Sequence, residues 1–194
     1  DKKNINFNID SFIQLNPFYS DMELTIKKKK LENIIDYILL NLLVYDKNYL
    51  GNINGNLKIK FKDLDNKIIK NGQIDFIINE KTINLERANF NLDKIGEINS
   101  KISFIEKQYE RTFFSKNHLQ IKNHIEFAKT FQISSKKIKN IKDIFFDIEK
   151  NIGENDFIIS NVKISNLKKN KNSDEKFVVK NIQNLRAIVR KLID

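Results

Sequence analysis

The sequence has no cysteine. Neither a disulfide framework nor a thiolate metal site is open to it. One proline and five glycines serve 194 residues, so turns must rely on Asn, Asp and Lys. Asn suits the task because it tolerates the left-handed conformation that turns need. Only four arginines occur, Arg87, Arg111, Arg186 and Arg190, and only two histidines, His118 and His124. No apolar run reaches the ~18 residues of a membrane-spanning helix. No secretory leader or lipidation motif is legible. The first residue is Asp rather than Met, which reads as a processed product or a piece of a longer chain.

The motifs of several enzyme classes are missing too. Neither the P-loop nor the dinucleotide-binding glycine fingerprint is present, and there is no Gly-x-Ser-x-Gly elbow. His118 and His124 share parity on one expected strand, but no carboxylate cluster joins them, and a zinc site needs three or four converging ligands. Asp and Glu are plentiful but interleaved with Lys on the wet sides of strands, where cross-strand ion pairing accounts for them. The chain reads as a non-enzyme with no cofactor and no metal.

What is present is strand rhythm. Hydrophobic residues make up 40% of the chain, enough for a folded core. In Gly51–Phe104 the apolar residues recur every second position: Leu57, Ile59 and Phe61, then Ile74, Phe76 and Ile78, then Ile83 and Leu85, then Phe90 and Leu92, then Ile102 and Phe104. Successive side chains on a strand point to opposite faces, so this period gives a sheet with one apolar and one polar side. The parity changes between Leu85 and Phe90, which calls for a bulge near Arg87-Ala88 or a tight turn. Asn54-Gly55 and Asn71-Gly72 read as turns, and Asp63–Lys70 as a longer hairpin loop.

Two more strands are expected in residues 1–27, around Ile5, Phe7 and Ile9 and around Met22, Leu24 and Ile26. The spacing of Leu31, Ile34, Ile35, Ile38, Leu39, Leu42 and Leu43 predicts an apolar helix over 31–45. Residues 105–117 are charged and poorly periodic. Leu119, Ile121, Ile125 and Phe127 alternate again with Asn123 in the inward slot, and Phe131 and Ile133 extend that edge. Helical turns are expected near Ile138 and Ile141. A strand pair follows, Ile144–Ile148 and Phe157–Ile164, then a polar loop over 167–176. Ile182, Leu185, Ile188, Val189 and Leu192 predict an amphipathic helix within 177–193. The sum is a mainly β, mostly antiparallel chain without the βαβ rhythm of a parallel nucleotide-binding sheet.

The net charge of +10 raises a nucleic-acid or anionic-membrane partner. Nucleic-acid surfaces lean on Arg for bidentate contacts, and here the cations are mostly lysines spread along strand faces. No nucleic-acid partner is expected.

The segments GNINGNLKIKFKDL, NGQIDFIINEKTINLERANFNL and GEINSKISF resemble the strand grammar of the AsmA-like family of double-membrane bacteria, the AsmA, TamB and YhdP type. PFYSDMELTIKKKKLENIIDYILLNLL and FQISSKKIKNIKDIFFDIEKNIGENDFIISNVKI are similar to the same group. The resemblance implies a curved antiparallel sheet forming a U-shaped, taco-like groove whose concave side is apolar. All 194 residues would form one C-terminal groove segment of a longer chain, with strands in 1–27, a helix at 31–45, a strand series over 51–165 and a terminal helix at 177–193. It also implies a periplasmic location, a tether to the inner membrane outside this segment, phospholipid acyl chains as ligand, and transport toward the outer membrane. An envelope protein partner at the C-terminal end is a further implication. The lining would be Leu57, Ile59, Phe61, Ile74, Phe76, Ile78, Ile83, Leu85, Phe90, Leu92, Ile102 and Phe104. On the residues alone two alternatives stay open: a closed structural or adhesion module in which these side chains are ordinary core, and a basic nucleic-acid-binding domain.

Overall fold

The computed structural model describes residues 7–27, 54–66, 68–79, 82–107, 110–151, 154, 156–166 and 171–193. The helix expected at 31–45 lies outside them. The chain is mainly β, with eleven strands and three helices among the described residues. It divides into two compact units, Asp1–Asp93 and Lys94–Asp194.

In the first unit, β1 (Phe7–Leu15) and β2 (Phe18–Lys27) form a tight antiparallel hairpin around Asn16-Pro17. β3 (Asn54–Lys62) then lies beside β2 in parallel, with Leu24 opposite Ile59 and Ile26 opposite Phe61. It is a parallel pair in a sheet that is otherwise antiparallel among the described pairings. A parallel neighbour needs a crossover of a dozen or more residues, and residues 28–53 intervene. β4 (Asn71–Asn79) and β5 (Thr82–Asn91) complete the unit antiparallel. The parity change in β5 is a bulge: Arg87 pairs with Asp75 and Leu85 with Phe76, leaving Glu86 as the extra residue. Asp63–Lys70 is the expected loop. Its Leu64 is buried, and Asn66 Oδ1 accepts the backbone N–H groups of Ile68 and Ile69 at 2.9 and 3.0 Å.

The two Asn-Gly pairs are not turns; they open β3 and β4. Glycine is there for closeness of approach. A Cβ on Gly55 would stand 1.8 Å from the Ser20 carbonyl oxygen, and one on Gly72 would stand 2.4 Å from the Phe90 ring.

The second unit is built on β6 (Gly96–Lys107), β7 (Glu110–Ile121), β8 (Ile141–Asn151) and β9 (Phe157–Asn166), paired antiparallel in that order. Two short strands, β10 (Lys171–Ser173) and β11 (Phe177–Val179), both pair with β9. The stretch 105–117, read as irregular, is the far half of a long hairpin. Its cross-strand partners include Phe104 with Phe113 and Glu106 with Arg111.

The expected strand through Phe127 ends early. β7 stops at Ile121 and α1 (His124–Phe131) begins. Asn123 does not fill an inward slot; it caps the helix, its Oδ1 accepting from the N–H groups of Ile125 and Glu126 at 3.0 and 3.1 Å. Read with period 3.6, Phe127, Ala128 and Phe131 share a helix face and are buried, while Ile125 is exposed. α2 (Ser135–Ile138) buries Ile138 completely. The terminal helix α3 (Ile182–Ile193) starts later than expected because Phe177–Val179 is strand. Arg186 Nε donates to the Thr130 carbonyl at 2.9 Å, tying α3 to α1.

Replacing Asn123 with Ala removes the α1 cap and is expected to cost about 1 kcal/mol of stability, within a range of ~0.5–2. Ile125→Ala on the exposed face is expected to stay within about 0.5 kcal/mol. Denaturant melts of the two variants against the parent chain check this.

Candidate functional site

Register places the apolar residues of the first unit in rows that cross all five strands. Ile9, Leu24, Ile59, Ile74 and Ala88 are successive cross-strand partners, and so are Ser11, Met22, Leu57, Phe76 and Leu85. A third row runs Phe7, Ile26, Phe61, Gly72 and Phe90. There the absent side chain at Gly72 lets the Phe61 and Phe90 rings stack 6.5 Å apart.

Most of this face is closed. Ile59, Phe61, Ile74, Phe76, Ile78 and Leu92 keep between 1 and 4% of their surface in water. Leu57, Leu85 and Phe90 are half-buried. Six of the expected lining residues are therefore buried. Ile102 lies in β6 of the second unit and is half-buried. The backbone places Ile83 in β5 and Phe104 in β6, and their side chains lie outside the described ones.

The closure fails at β1. Phe7, Ile9, Ile13 and Leu15 continue the same face and are 54, 59, 54 and 79% exposed. None of the four belongs to the expected lining; Ser11 and Phe12 break the alternation of β1, which is less regular than that of β3.

A hollow of the first unit is lined by Met22, Leu57 and Phe76 of the apolar rows as well as by polar residues. It encloses about 660 Å³ and draws on all five strands. Its floor is another cross-strand row, Asp10, Glu23, Lys58, Asp75 and Arg87. The row is internally paired. Arg87 Nε donates to Asp75 Oδ2 at 2.6 Å, and Gln73 Nε2 donates to Asp75 Oδ1 at 2.7 Å. The Asp75 carboxylate holds the Arg87 guanidinium above its ordinary range, first through that hydrogen bond. Lys60 Nζ stands 2.6 Å from Glu23. Nearby, the Tyr19 hydroxyl donates to Asp21 Oδ1 at 3.0 Å, which raises the phenol above its usual value.

In the second unit a polar island interrupts the inward face. Ser100 and Asn117 are direct cross-strand partners, and the Ser100 hydroxyl donates to Asn117 Oδ1 at 2.7 Å. Asn117 Nδ2 donates to the Ser115 hydroxyl at 3.0 Å and to the carbonyls of Ser115 and Phe146 at 3.1 and 3.2 Å. All three side chains are buried. Ser115 and Asn117 fall in 105–117, whose charged sequence has too little period to reveal a strand, and Ser100 is a polar residue in an otherwise alternating strand.

The histidines do not share a site. His118 Nε2 stands 2.7 Å from Asp143 Oδ1, and its ring stacks on Phe145 at 4.4 Å. His124, at the start of α1, donates from Nε2 to the Ile141 carbonyl at 2.8 Å. Among the described residues no three His, Asp or Glu side chains converge on a metal position.

Burial sets the expected response to truncation. Phe76→Ala removes a packed side chain and is expected to cost about 3–5 kcal/mol. Ile9→Ala, on the exposed row, is expected to stay near ~0.5 kcal/mol. Equilibrium denaturation distinguishes them; equal costs would mean that β1 is covered in solution. Compared with known proteins, the chain matches no family model, no curated protein and no solved structure.

Proposed function

We propose that this chain is a non-enzymatic, lipid-binding β segment, and that acyl chains lie on the exposed apolar row of the β1–β2 hairpin. The observation that carries this reading is the contrast along one face. The rows are closed over β3 and β4 and open to water at Phe7, Ile9, Ile13 and Leu15. An uncovered apolar patch normally marks an interaction surface. A hydrocarbon tail asks for no placed polar ligand, and each methylene that leaves water contributes roughly 0.8 kcal/mol. Such a contact is strong enough to hold a tail and uniform enough to let it slide. The charged rows on the other side keep the sheet soluble.

The wider setting rests on the resemblance to AsmA-like strand grammar. It supports a periplasmic location, a tether to the inner membrane supplied outside this segment, phospholipid as cargo moving between inner and outer membranes, and an envelope protein partner at the C-terminal end. The lysines favour no nucleic-acid reading. They are dispersed along strands, as Lys58, Lys60 and Lys62 are on β3.

A second reading, a structural β module without ligand, is favoured by one observation: six of the twelve expected lining residues are closed core. Native mass spectrometry and solvent extraction of the purified chain separate the two. The lipid reading expects co-purifying or readily added phospholipid, reduced several-fold by Ile9→Glu and Ile13→Glu while the far-ultraviolet spectrum is unchanged. A chain that stays lipid-free when offered phospholipid vesicles supports the structural module instead. Retained loading in both β1 variants would move the contact away from the hairpin.

A further inference from the structure

We propose that the helical layer of the second unit is a docking surface for an anionic phospholipid membrane, held through headgroup charge. The excess charge of the chain is unevenly placed. Residues 123–140, which hold α1 and α2, and residues 180–194, which hold α3, carry eight Lys and Arg against two acids, Glu126 and Asp194. All other residues carry twenty-seven cations against twenty-three acids. More than half of the net +10 therefore belongs to two short stretches. Strand cations have carboxylates beside them, as Lys60 has Glu23 and Arg87 has Asp75. The helices lack the acids to do the same.

The fold gathers these cations into one layer. α1 touches both α2 and α3, and Arg186 of α3 reaches the Thr130 carbonyl near the end of α1. The apolar sides of the helices are turned inward: Phe127, Ala128 and Phe131 of α1, Ile138 of α2 and Leu192 of α3 are buried. Lys129, Lys136, Lys137, Lys139, Lys180 and Arg190 are exposed. Lys191 is engaged by Glu175 and adds little. Glu126 stands 4.0 Å from Lys129, an exposed pair that offsets it only weakly.

A lipid surface fits this layer better than a nucleic acid does. Six of its eight cations are lysines, point charges without the planar fork that pairs with bases and phosphates. One of the two arginines is committed to Thr130. Both aromatic residues of the layer, Phe127 and Phe131, are buried, so none is displayed for base stacking. The outward apolar residue is aliphatic. Ile125, 69% exposed, lies one turn before Lys129 on the same side of α1. An aliphatic side chain beside lysine suits the boundary between headgroups and tails.

Co-sedimentation of the whole chain with phosphatidylcholine vesicles, with and without phosphatidylglycerol, tests the assignment. Binding is expected only where phosphatidylglycerol is present, and is expected to be lost at high salt. A lysine at an anionic surface is worth about fivefold in affinity, so Lys136→Gln, Lys137→Gln and Lys139→Gln together are expected to weaken binding on the order of a hundredfold. Lys101→Gln, Lys116→Gln and Lys163→Gln remove the same charge from exposed strand positions of the same unit and are expected to change it little. All six positions are exposed, so both triple variants are expected to keep the far-ultraviolet spectrum and melting curve of the parent. Equal losses in the two variants would reduce the effect to net charge and overturn the proposal. Binding that ignores phosphatidylglycerol, or no binding at all, would overturn it too. So would a single-stranded RNA oligomer that displaces the chain from the vesicles, which would make the layer a nucleic-acid surface. The Ile9→Glu and Ile13→Glu chains, emptied of lipid, are expected to bind the vesicles as the parent does. Failure of the acyl contact on β1 is thus distinguishable from failure of this surface.

Discussion

The constraint on which the first unit depends is that five strands share one register of alternation. Side chains repeat every two residues, so a slip of one position in any strand would turn its whole apolar set toward the polar side. Ile59 would then stand where Lys58 stands, and Asp75 would be driven into the core between Ile74 and Phe76. The rows seen here, apolar on one side and charged on the other, are the outcome of avoiding that exchange. The parallel placement of β3 beside β2 follows the same demand: Leu24 meets Ile59, and Glu23 meets Lys58.

Hydrophobic matching alone does not distinguish a slip of two, and polar pairs supply that discrimination. Asp75, nearly buried, receives Arg87 from the neighbouring strand and Gln73 from its own. Moved by two residues, that carboxylate would lose its cationic partner, at a cost of about 1–3 kcal/mol for a buried group left unsatisfied. In the second unit the Ser100–Asn117 pair does the same for β6 and β7. Its members are buried, and no buried side-chain polar atom among the described residues lacks a partner. An apolar pair would hold those strands as tightly but in more than one alignment.

Much of the strand order was legible in the sequence because β3 and β4 alternate and β5 alternates on either side of its bulge. Even the parity change in β5 announced its bulge, though one residue away from Glu86. The errors share a cause: one local signal serves two structural ends. Asn-Gly suits a tight turn, but Gly55 and Gly72 are needed where another chain segment comes too close for a Cβ. Asn123 fits an alternating pattern and also a helix cap; the next apolar residues, Phe127, Ala128 and Phe131, are what decide between them. Burial was the least legible property. Phe76 in β4 and Ile9 in β1 both sit in alternating stretches, yet one is closed and the other open. The difference comes from what packs on the face from outside the strand itself, and no periodicity contains that.

The bulge at Glu86 reaches beyond its own strand. Upstream, Ile83 and Leu85 are odd-numbered; downstream, Ala88, Phe90 and Leu92 are even, and the extra residue absorbs the phase difference. Without it Arg87, Asn89 and Asn91 would swing into the interior, and Asp75 would face no cation. One surplus amino acid thus acts as a hinge pin between two reading frames of the pleat. Each half of β5 can then accept substitutions suited to its own side of the sheet without dragging the other half out of phase.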